Sequence, residues 1–135
     1  MAISLKNPAG LPEVPLYKYV SVASGSKMVH MAGQVPIDEN GETVGKGDYV
    51  AQIEQAYLNV AKVLAAAGAT FDDVVKINVY AVNMTPDVIA ASGEGIARAE
   101  QKLGVKIQAP LTGIGVAALA SPEYLVEVDA VAVLD

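Results

Sequence analysis

Near the end of the chain, Glu127 and Asp129 stand two residues apart in the apolar run Leu125-Val-Glu-Val-Asp-Ala-Val-Ala132. On a β-strand that spacing sends both side chains out of one face, at about 7 Å. Apolar surroundings raise a carboxyl pKa, and two adjacent carboxylates raise each other's further. Such a group can act as a general acid or base near neutral pH. The competing reading puts both at a sheet edge, solvated or paired with lysine.

Other residues could join them. Gly113 and Gly115 alternate on the preceding segment, which predicts either a shallow pocket beside Glu127 or close packing of a second subunit. Gly33 precedes Gln34 at the end of an earlier apolar run, where a spare N–H could bind an anionic oxygen or a bulge could lead into Pro36. Tyr19 offers a hydroxyl to a ligand or simply packs. The single histidine, His30, reads as a packed or hydrogen-bonded strand residue. The nearest approach to a dinucleotide fingerprint, Gly93-Glu-Gly95, falls inside a predicted helix, where that motif has no function.

These residues need elements to hold them. Residues 1–16 contain Pro8, Pro12 and Pro15 and read as an irregular, extended lead-in. Lys18 to Ala23 and Met28 to Gln34 read as a β-hairpin around Ser24-Gly-Ser. Asp48 is a candidate N-cap for a helix whose apolar stripe is Val50, Ile53, Tyr57, Val60 and Leu64, closing at Gly68. Val74 to Val82 reads as a strand. Thr85-Pro86 starts a second helix with Val88, Ser92, Ile96, Ala99 and Leu103 on one face. Leu111 to Ala118 and Tyr124 to Leu134 close the chain as strands.

The predicted order is β-β-α-β-α-β-β in one domain, residues 1–135, of the α+β class. The two helices cover one face of a mixed sheet. The last strand is apolar on both sides, so a second subunit is expected to cover the other face.

Composition narrows the function. With 15 acidic and 9 basic residues the chain carries a formal charge of −6, and its lysines are scattered, so a nucleic-acid partner is not expected. No cysteine is present, which removes thiolate metal sites and cysteine nucleophiles. No apolar stretch reaches the ~18 residues of a membrane span, and no signal-peptide pattern is visible, so the expected location is cytoplasmic.

Three segments together resemble the RidA (reactive intermediate deaminase) family, also called YjgF-type or L-PSP-type. They are Met31-Ala-Gly-Gln-Val-Pro36, then Gln55 through Gly68 with Phe71-Asp-Asp-Val-Val-Lys-Ile-Asn-Val-Tyr80, and finally Gly115-Val-Ala-Ala-Leu-Ala with the run around Glu127. The resemblance implies a chorismate-mutase-like fold assembled as a homotrimer. It also implies a small-molecule ligand in clefts between subunits, and hydrolysis of enamines and imines derived from amino acids to ammonia and a keto acid. Neither a metal nor an organic cofactor is implied. It gives Glu127 as the catalytic residue that activates water, and Tyr19, Gly33, Leu111, Thr112 and Gly113 as substrate-binding positions.

One position departs from the family pattern. An arginine that grips the substrate carboxylate is replaced by Leu111, and no arginine follows Arg98. A hydrogen bond to a charged group is worth roughly 1.5–3 kcal/mol, so its loss weakens carboxylate binding on the order of tenfold to a hundredfold. The expectation is little activity on simple 2-imino acids. The alternatives are a module that binds a small ligand without turning it over and, lower still, an endoribonuclease.

Overall fold

The computed structural model describes residues 2–135. Helix α1 spans Tyr49–Ala66, and its N-cap Asp48 accepts the Ala51 N–H at 3.1 Å. Ile53, Tyr57, Val60 and Leu64 are fully buried on one face. Each such side chain contributes about 1.5–3 kcal/mol by leaving water. Gly68, at φ +77°, turns the chain out of the helix. Helix α2 spans Pro86–Leu103, capped by the Thr85 hydroxyl at its start and by left-handed Gly104 at its end. The helices meet at Gly95, where a Cβ would fall 2.7 Å from the Val50 carbonyl oxygen. That close approach explains a glycine in mid-helix.

The strands are β1 (Ala2–Lys6), β2 (Val20–Ser24), β3 (Lys27–His30), β4 (Val74–Val82), β5 (Leu111–Val116) and β6 (Val126–Leu134). The main sheet has the order β3-β6-β4-β5. Strand β6 runs antiparallel to both neighbours, while β4 and β5 are parallel with α2 as their crossover. Ile77, Val79 and Ala81 of β4 and Val126, Val128, Ala130 and Ala132 of β6 point toward the helices and are buried. The α+β architecture with both helices on one face of a mixed sheet is therefore as the sequence predicts.

Two expectations fail at the N-terminal end. The lead-in is not wholly irregular: Ala2–Lys6 pairs antiparallel with β2, from Ala2 opposite Ser24 to Lys6 opposite Val20. The three prolines lie beyond this strand and so do not disturb it. The predicted hairpin also does not form. Strand β2 pairs with β1, and β3 pairs with β6 across Lys27–Leu134 to His30–Val131. The link passes over the end of β6, where a Cβ on Gly25 would lie only 2.4 Å from the Leu134 carbonyl oxygen. His30 stays on β3 but is exposed rather than packed. The closing strands are also shorter than predicted, with β5 ending at Val116 and β6 starting at Val126.

Buried amides tie the loops to the helix layer. Gln52 is fully buried, donates to the carbonyls of Gly45 (3.1 Å) and Glu123 (2.9 Å), and accepts the Leu125 N–H at 2.8 Å. Asn59 donates to the carbonyls of Val35 and Ile37, both at 2.9 Å. Tyr57 stacks on Phe71 at 5.9 Å, and its buried hydroxyl has no hydrogen-bond partner among the described residues. Burial holds that phenol well above its ordinary pKa.

These two side chains give opposite expectations. Gln52→Leu strands three backbone groups and should cost about 3 kcal/mol in a urea melt. Tyr57→Phe removes an unpartnered hydroxyl and should leave stability unchanged or raise it by up to about 1 kcal/mol in the same measurement.

Candidate functional site

The sheet face away from the helices is built in rows. Antiparallel partners point the same way, so Glu127 lies beside Tyr80, Asp129 beside Asn78, and Val131 between Lys76 and His30. The parallel β5 extends two rows, adding Ile114 next to Tyr80 and Thr112 next to Asn78. Polar residues therefore concentrate on this face, away from the hydrophobic core.

The two carboxylates of β6 have different surroundings. Asp129 accepts from Asn78 Nδ2 at 3.0 Å on one oxygen and from the Tyr80 hydroxyl at 3.1 Å on the other. Both oxygens are engaged, so Asp129 holds neighbouring side chains in place. Glu127 is half-buried, and among the described residues its carboxylate has no hydrogen-bond partner. Tyr80 is held above its ordinary pKa, first by desolvation, then by its bond to Asp129 and the charges of Asp129 and Glu127. It stays a neutral phenol across the physiological range.

Gly33 reaches Glu127 through a bulge. His30 pairs with Val131 and Gln34 with Val128, so four steps on one strand oppose three on the other. The extra residue bends the chain over β6. Gln34 and Val128 exchange both backbone bonds, at 2.7 and 2.9 Å, and the Asn59 amide fixes the turn that follows. A Cβ on Gly33 would fall 2.0 Å from Glu127 Oε2, so only glycine fits here without moving the carboxylate. The Gly33 N–H donates to no acceptor among the described residues.

The remaining predicted positions lie elsewhere. Leu111 and Gly113 pair with Ile77 and Val79, whose side chains face the helices, so both sit on the opposite side of the sheet from Glu127. The expected pocket beside Glu127 at Gly113 and Gly115 is therefore not formed within one chain: added Cβ atoms there would meet Met84, at 3.5 and 3.1 Å. The period of two decides this, because β5 enters the sheet with its odd positions toward α2. Leu111 and Gly113 instead line an apolar cavity of about 270 Å³ with Tyr17, Met84, Ile89 and Ile96. Thr112 shares the face of Glu127 and accepts from Lys76 Nζ at 2.5 Å. Tyr19 borders a surface hollow with Lys76, Leu111 and Thr112, but its hydroxyl donates to the Pro12 carbonyl at 2.8 Å.

Sequence reasoning missed Asn78 and Tyr80. The signal was present, because alternation in Val74–Val82 puts Lys76, Asn78 and Tyr80 on one face. What it lacked was the register with β6. Among the described residues, no cluster of His, Asp or Glu side chains is grouped to hold a metal ion. No helix among the described residues is long and apolar enough to cross a membrane.

Comparison with known proteins gives the site a context. Residues 12–134 match the model of a family described as Endoribonuclease L-PSP. A RutC family protein of Pyrococcus horikoshii is 34% identical over 70 residues, covering 52% of this chain and 56% of that protein. The 3-aminoacrylate deaminase RutC of Acinetobacter baylyi is 34% identical over 67 residues, covering 50% and 52%. The chain thus spans about half the length of the curated relatives it matches. A Rid-family protein of unknown function from Yersinia pestis matches over 99% of this chain and 100% of its own, at 36% identity and a TM-score of 0.85. E. coli TdcF with bound serine shares the fold, with a TM-score of 0.68 at 24% identity over 96% of this chain and 94% of its own.

The contact between Gly33 and Glu127 makes a direct prediction. Gly33→Ala should fold with a loss of about 1 kcal/mol or less, because the Glu127 side chain can rotate away. A crystal structure of the variant should show the Glu127 carboxylate displaced from its present position.

Proposed function

The chain belongs to the Endoribonuclease L-PSP family, and we propose that it hydrolyses a small imine or enamine that carries no carboxylate at the Leu111 position. The observation that carries this reading is the contrast on β6. Asp129 has both oxygens bonded, whereas Glu127 is half-buried and, among the described residues, without a hydrogen-bond partner and next to an N–H that donates to no acceptor. A relative named as a deaminase, 3-aminoacrylate deaminase RutC, supports the reaction class.

The chemistry needs few parts. The Glu127 carboxylate takes a proton from water as the water oxygen adds to the imine carbon, and the C=N electron pair moves onto nitrogen. Glu127 then returns its proton to that nitrogen, giving a carbinolamine; it next takes the hydroxyl proton and passes it to the same nitrogen, and the carbon–nitrogen bond breaks as the C=O bond forms, to give ammonia and a carbonyl compound. The Gly33 N–H donates to the oxygen as it becomes the carbonyl. An enamine first moves a proton from its nitrogen to carbon to become the imine. Leu111 supplies no positive charge, which directs the reading away from simple 2-imino acids.

Leu111 and Glu127 leave opposite faces of one sheet, so a cleft that uses both takes them from different subunits. A homotrimer in which the β5 edge of one subunit abuts the helix-free sheet face of the next meets this requirement. Met28, 65% exposed opposite Val133, then becomes covered. The second reading is a module that binds without turnover, and the apolar cavity at Leu111 favours it.

The test is ammonia release from a panel of neutral imines, enamines and 2-imino acids, with the oligomeric state read by light scattering. Turnover of neutral substrates above that of 2-imino acids is expected, with Glu127→Gln lowering it by at least about 100-fold. Binding in thermal-shift assays without any ammonia release would favour the second reading. A monomer would remove the shared cleft.

A further inference from the structure

We propose that Tyr80 is a positioning residue for Glu127: its hydroxyl, fixed as a donor to Asp129, turns its lone pairs toward the Glu127 carboxyl group and favours the form that holds the proton taken from water. This rests on the role given to Glu127 above.

Tyr80 and Glu127 are direct partners across the β4–β6 ladder, on the face that no helix covers. Side chains in such pairs have Cβ atoms about 4.5–5.5 Å apart. A phenol has one proton to donate and can also accept. That proton is committed to Asp129 Oδ2 at 3.1 Å, while Asn78 holds the other Asp129 oxygen at 3.0 Å. The donor direction is thus locked along the strand, and only acceptor capacity remains for Glu127.

This asymmetry matters to a proton transfer. Ionised Glu127 gains nothing from a neighbouring lone pair, whereas protonated Glu127 can donate to it. The interaction is therefore stronger once water has given up its proton than before, which is the requirement for accelerating a step rather than merely binding. The proton passes from water to Glu127 and on to the departing nitrogen, and Tyr80 keeps its own throughout. The pKa of Tyr80, raised by desolvation and by both carboxylates, is consistent with this placement. The charged groups on the same sheet face are Glu127 and Asp129 on β6 and Lys76 on β4, with the titratable His30 on β3; β2 and β5 contribute none.

Coupling is reciprocal, so it can be read from the tyrosine without knowing the substrate. The full chain is labelled with 13C at the tyrosine ring carbon bearing oxygen, and Tyr80 is assigned by the signal lost in Tyr80→Phe. Its titration is followed in the wild type, in Glu127→Gln and in Asp129→Asn. Both carboxylate substitutions should lower the Tyr80 midpoint by about half a pH unit or more. A midpoint unmoved by Glu127→Gln overturns the proposal; should Tyr80→Phe fail to fold, Tyr80 is assigned by elimination from the signals lost in Phe variants of the other five tyrosines. On any imine that is turned over, Tyr80→Phe should lower kcat about tenfold with KM unchanged. A rise in KM at constant kcat would instead make Tyr80 a substrate contact and overturn the positioning role. Absence of all turnover defeats the hydrolase reading, and the titration then decides by itself whether Tyr80 and Glu127 are coupled.

Discussion

Strand β6 has to satisfy two environments, and the alternation of its side chains lets it do so. Val126, Val128, Ala130 and Ala132 close the core against the helices, while Glu127 and Asp129 necessarily leave the other face. A slip of one residue would drive two carboxylates into that core and expose four apolar side chains. The cost of burying unpaired charge makes that register inaccessible. The position of Glu127 is thus guaranteed by the same interaction that stabilises the domain.

The loop around Glu127 is fixed from the opposite side of the molecule. Asn59 and Gln52 lie on α1, yet their amides bind the carbonyls of the turn after Gly33 and of the segment leading into β6. Because these bonds are buried, breaking one leaves a backbone group without a partner, a larger penalty than the net value of a hydrogen bond. The helix layer therefore contributes to the site although none of its side chains faces Glu127. The bulge at residues 31–33 and the absence of a Cβ on Gly33 complete the arrangement.

The sheet also separates two chemical environments. One face has a row of phenol, amide, hydroxyl and carboxylate groups, and the other has the apolar cavity at Leu111 and Gly113. Within one protomer the sheet keeps them apart. The proposed trimer is the arrangement that would bring an unpaired carboxylate and an apolar pocket to the same ligand.

Much of this was legible in the sequence because it depends on local periodicity. The spacing from Ile53 to Leu64, the caps at Asp48 and Thr85, and the alternation around Glu127 each follow from the chain's own geometry, and they led to the helices, the last strand and its carboxylate. The resemblance around Gly33 and Glu127 named two residues that the fold brings together. Pairing partners were not legible, because they depend on distant segments. Nothing near Ser24 says that β2 will join Ala2–Lys6 rather than β3, and nothing near Gly113 says which face it will take. Those choices were made by burial of the whole sheet against two helices. Sequence alone determined which residues could do chemistry; tertiary structure decided that Asp129 is held by Asn78 and Tyr80, that Glu127 has no hydrogen-bond partner among the described residues, and that Leu111 lies on the other side.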